Sequence, residues 1–77
     1  MNIKPVDLID AAELLQGIIM DEVDTYLRKP LVAFGGLFLE VPALAEAGQY
    51  MLDFAHGSIN DAEPARRHLA TIEQFQA

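Results

Sequence analysis

An all-α bundle is the fold class this sequence predicts, on three observations. Apolar residues recur at helical spacing in three long segments. Prolines stand where those segments begin (Pro5, Pro42, Pro64), and Gly57 stands where one of them ends. The stretch that breaks the amphipathic pattern, Leu31–Leu39, has no visible third strand to pair with, so a sheet would be a marginal hairpin.

The 77 residues make one domain, 1–77. The first helix is expected over about 5–29. Pro5 suits its first turn, and Asp7 and Asp10 face the positive end of the helix dipole. Arg28 and Lys29 suit the negative end, and Pro30 reads as the stop. A polar stripe runs through Asp10, Glu13, Gly17, Asp21, Asp24 and Arg28. Opposite it lie Leu8, Ala12, Leu15, Ile19, Val23 and Tyr26, widened by Leu14 and Ile18 on one side and by Ile9, Met20 and Leu27 on the other. At 100° per residue this apolar arc covers roughly 240°, where about 100° is enough for a helix packed on one core. A helix that apolar calls for cover from two directions.

Residues 31–39 read Leu-Val-Ala-Phe-Gly-Gly-Leu-Phe-Leu, with no polar side chain. They are expected to form a short buried apolar helix, with Gly35 and Gly36 letting a neighbouring helix come close. A β-hairpin over 31–41 with Gly-Gly as its turn is the alternative. The next helix spans about 42–56. Leu44, Ala47, Gly48, Met51, Leu52, Phe54 and Ala55 face inwards, and Glu46, Gln49, Asp53 and His56 face outwards. The last spans about 61–76. Asn60 is expected to cap it, with Glu63 three residues on, and Ala65, Leu69 and Ile72 form a narrow stripe with Phe75 alongside.

Composition narrows the functional classes. The net charge is −7, and the segment 31–63 carries five acids and no base. Such a balance speaks against direct nucleic-acid binding, which needs clustered cations, and for a partner with a basic surface. Cysteine is absent, which removes disulfides and thiolate metal sites. Acids at 7, 10 and 13 do not fit a signal peptide, and nine apolar residues are too few for a membrane span. The expectation is a cytoplasmic protein with no membrane contact.

Motifs for chemistry are weak. Asp53 and His56 lie three apart on one helix face, as ligands do in helical metal sites, but a solvated helix end explains them better. His68, beside Arg66 and Arg67, reads as a boundary histidine over the core rather than a general base. No enzyme activity, cofactor or metal is expected. The sequence instead suggests a small acidic protein-protein interaction module that binds and blocks or escorts a macromolecular partner. Inhibitors, immunity proteins, antitoxins and phage host-blocking proteins share its size and charge, a likeness of class only. Its contact residues are expected on the first helix: Asp10, Glu13, Asp21 and Asp24 from the acidic stripe, and Ile9, Met20 and Leu27 from the apolar margin. A homo-oligomeric structural or assembly subunit, by default a homodimer, self-burying the wide arc, is the alternative. A helical metal-binding protein is a third reading.

Overall fold

The computed structural model describes residues 3–20 and 28–76. They form four α-helices and no strand: α1 (Pro5–Ile19), α2 (Arg28–Leu39), α3 (Ala45–Ala55) and α4 (Glu63–Gln76). A 3₁₀ turn at Pro42–Leu44 leads into α3. The bundle class holds, and the hairpin over 31–41 is set aside.

α1 opens as the sequence suggests. Pro5 is its first residue, and the Lys4 N–H donates to the Asp7 carboxylate at 3.0 Å. It stops at Ile19, ten residues before the expected end near Lys29. Met20 closes it, with its N–H on the Gln16 carbonyl at 3.0 Å. Asp21, Val23, Asp24, Tyr26 and Leu27 of the expected stripes lie outside the described residues.

Arg28 and Lys29 open α2 instead of ending α1. Cations at a helix start oppose the dipole, worth only some tenths of a kcal/mol at an exposed site. Burial of Leu31, Gly35 and Phe38 outweighs that and sets where the helix lies. Pro30 is the third residue of α2, where an N–H has no intrahelical acceptor and its absence is harmless.

α2 packs chiefly on α3, and α1 on α4. The central apolar stretch therefore meets the first helix only through the shared core and lies mainly on α3. What fixes α2 on α3 is backbone contact at two glycines. A Cβ on Gly35 would lie 2.9 Å from the Gly48 carbonyl oxygen, and one on Gly48 would lie 2.6 Å from the Gly35 carbonyl oxygen. Gly36 takes no part: a Cβ there meets nothing within 4 Å. Only one face of α2 is covered. Val32, Ala33, Gly36 and Leu39 are exposed, so the helix lies at the outside of the bundle rather than at its centre.

α3 buries Ala47, Gly48, Met51 and Ala55 as its periodicity implies, and also Tyr50. It ends in a Schellman motif. Gly57 has φ 78°, its N–H donates to the Phe54 carbonyl at 3.2 Å, and the Ser58 N–H donates to the Asp53 carbonyl at 2.9 Å. α4 begins two residues later than expected. The Asp61 carboxylate, not Asn60, accepts the Glu63 N–H at 3.0 Å. Ala65, His68 and Ile72 face the core, while Phe75 is exposed. The shared core joins Leu8, Ala11, Leu15 and Ile18 of α1 to Leu31 and Phe38 of α2, to Met51 of α3 and to Ile72 of α4. On α1 the buried line runs through Ala11 and Ile18 in place of Ala12 and Ile19, a rotation of the expected wheel by less than one residue's step.

Candidate functional site

Among the described residues, two surface grooves follow from the way the helices pair. The first lies between α1 and α4 and has a volume of about 310 Å³. α1 supplies Ile9, Ala12, Glu13 and Gln16, and α4 supplies Leu69 and Glu73. The α1 residues are spaced i, i+3, i+4 and i+7, so they form one continuous face. Ile9 is 50% exposed, and Val6, one turn earlier on the same face, is also exposed. Glu13 and Glu73 give the groove two carboxylates and no cation. Its chemistry is that of an apolar floor with an acidic rim.

Of the contact residues expected from sequence, Ile9 and Glu13 meet in this groove. Asp10 is exposed one turn before Glu13, outside the lining. Met20 is exposed at the far end of α1, also away from the groove. Asp21, Asp24 and Leu27 are outside the described residues. Ala12, Gln16, Leu69 and Glu73 were missed. Leu69 and Glu73 stand four apart on the edge of the last helix's stripe, but only the pairing of α1 with α4 brings them beside Ile9.

The second groove, about 450 Å³ and as open to solvent as the first, lies between α3 and α4. Glu46, Gln49, Tyr50 and Asp53 line one side, and Pro64, Arg67 and His68 the other. His68 is 4% exposed, with its ring centroid 5.2 Å from that of Tyr50 and the planes tilted by 34°. The Tyr50 hydroxyl donates to the Asp61 carbonyl at 2.8 Å. Burial, with the nearby Asp61 charge, pushes the Tyr50 pKa up to about 12, so the phenol stays protonated. Burial lowers the His68 pKa, the Arg67 cation lowers it further, and Glu46 partly opposes both. The ring is accordingly held neutral near pH 7.

This arrangement predicts a pH dependence. The folded His68 pKa lies below its unfolded value of about 6.5, so the unfolded chain takes up the proton first as pH falls. Stability from the neutral ring is full above about pH 6.5 and is lost as pH drops through the folded value. Urea unfolding at about pH 7.5 and about pH 5 should show a lower midpoint at the acid value, and His68→Leu should shrink that difference. Equal pH dependence in both proteins would contradict the assignment.

The Asp53 and His56 pair does not converge on a site. Gln49 donates its amide to Asp53 at 2.9 Å, and His56 is an exposed cap residue. No group of three or more His, Cys, Asp or Glu side chains able to hold a metal ion occurs among the described residues. No helix among them is long and apolar enough to cross a membrane. No protein-family model matches the chain, and no curated protein or solved structure is significantly similar to it.

Proposed function

We propose that the chain is a small acidic interaction module of the cytoplasm that binds a basic amphipathic helix of a protein partner in the α1–α4 groove, blocking or escorting that partner. The observation that carries this reading is Ile9: a large aliphatic side chain, half exposed, on a groove floor whose charged rim is wholly acidic. Helix-in-groove recognition uses apolar anchors at helical spacing, and rim charges add steering and specificity. A net charge of −7 extends that attraction beyond the groove itself. The module acts by occupying a surface and not by catalysis, as an inhibitor, immunity protein or antitoxin does.

Titration calorimetry with a designed Lys/Leu amphipathic helical peptide tests this. Saturable binding is expected, weakening as salt rises. Ile9→Glu, which removes the anchor, should weaken it at least about tenfold, while Glu13→Lys should weaken it and flatten the salt dependence. Equal binding by wild type and both variants would refute the groove as the site.

A further inference from the structure

We propose that the outward face of α2 is a self-association surface on which a second copy of this chain packs α2 against α2, antiparallel about a two-fold axis. Lys29, Ala33 and Gly36 of α2 and Glu40, the residue just after its end, follow at intervals of four, three and four residues, and all are exposed. At 100° per residue they fall within about 60° of one another, a single seam of the kind two helices share. Val32 and Leu39, 36% and 41% exposed, flank the seam on one side. Among the described residues none covers this face, because α3 takes the opposite one.

The occupant is identified by charge. The face begins with a cation and ends with a carboxylate, and every position between them is uncharged. A two-fold axis midway between Ala33 and Gly36 sets Lys29 of each protomer against Glu40 of the other. Ala33 then lies over Gly36, where a Cβ would meet nothing within its own chain, so the space above Gly36 is open to an incoming helix. An isologous contact of this kind needs a self-complementary patch, which this face is. A foreign partner of uniform charge would gain at one end of it and lose at the other. The surface shares no residue with the α1–α4 groove, so a dimer carries two grooves.

The core of the subunit closes without this contact: Leu31, Gly35 and Phe38 of α2 are buried within one chain. Its accessible surface of 4795 Å² is close to the roughly 4,700 Å² that size scaling gives a compact monomer of this mass. The dimer is accordingly expected to be an association of folded monomers, with variants that break it still folded. α2 is only about 18 Å long, so the contact is small and the dimer weak.

Sedimentation equilibrium over a range of concentrations tests the proposal. Wild type should show a concentration-dependent monomer–dimer equilibrium. Lys29→Glu alone and Glu40→Lys alone should each weaken dimerisation about tenfold or more, since each turns two attractive pairs into repulsive ones. An equimolar mixture of the two variants should recover a heterodimer, in which both cross-pairs are again opposite in charge. Ala33→Glu should abolish association in either case, with circular dichroism showing an unchanged helical fold. A wild type that stays monomeric up to about millimolar concentration overturns the proposal. So does a dimer indifferent to the charge variants, or a mixture that recovers nothing.

Discussion

Gly48→Ala should destabilise the protein by about 2 kcal/mol, although alanine is the better helix former. The new methyl group would sit 2.6 Å from the Gly35 carbonyl oxygen, 3.0 Å from the Leu39 backbone nitrogen and 3.0 Å from the Phe38 Cβ. Two of those three atoms belong to backbone, which cannot rotate away as a side-chain end does. α2 and α3 must separate, and the packing of Phe38 is lost with them. Propensity returns about 1 kcal/mol, against overpacking of about 1–3 kcal/mol or more. Gly36→Ala is the matched control. It lies on the same pair's outer side, meets nothing within 4 Å, and should raise stability by up to about 1 kcal/mol. Urea unfolding of both variants, at concentrations where the chain is monomeric, should move the midpoint in opposite directions. Equal shifts would mean that the helices do not touch at Gly35 and Gly48.

Phe38→Ala should cost about 3–5 kcal/mol, the range for emptying a fully buried aromatic site. Phe38 has no exposed surface, and its ring lies 6.4 Å from that of Phe34 in a tilted pair. It sits where α2 meets the shared core, so the void borders both helix pairs. A domain of this length holds only about 4–12 kcal/mol in total. The variant should therefore be largely unfolded at physiological temperature or melt far below wild type, as far-ultraviolet circular dichroism will show. Leu39→Ala, one residue on but 41% exposed, should change stability by less than about 1 kcal/mol. Similar losses at 38 and 39 would contradict the placement of α2 with one face in and one face out.

How far the sequence could be read depended on how local each feature was. Pro5, Gly57 and Pro64 mark real boundaries because capping is decided within one turn of chain. Pro30 was ambiguous for a physical reason: a proline is as compatible with the first turn of the next helix as with the end of the last. Over Pro5–Ile19 the apolar wheel lies within one residue's step of the buried line, yet it could not say which helix would cover it. That depends on Gly35 and Gly48 meeting thirteen residues apart, and no periodicity encodes the meeting. Tyr50 gives no sign of burial and His68 reads only as a boundary residue, because each is polar in isolation. They become interior residues only when their rings face one another and the Tyr50 hydroxyl finds the Asp61 carbonyl. Ile9 and Glu13 were visible as an apolar margin and an acidic stripe on one helix. Their combination with Leu69 and Glu73 into one groove required the tertiary pairing.

The most direct test of the interaction role is a nitrogen-15 chemical-shift map recorded while the basic amphipathic peptide is titrated into the wild-type protein. If the groove is the binding site, shifts will concentrate at Ile9, Ala12, Glu13 and Gln16 of α1 and at Leu69 and Glu73 of α4, and will need at least about tenfold more peptide in Ile9→Glu. Shifts centred on the α3–α4 groove around His68, or no shifts at saturating peptide, would contradict it.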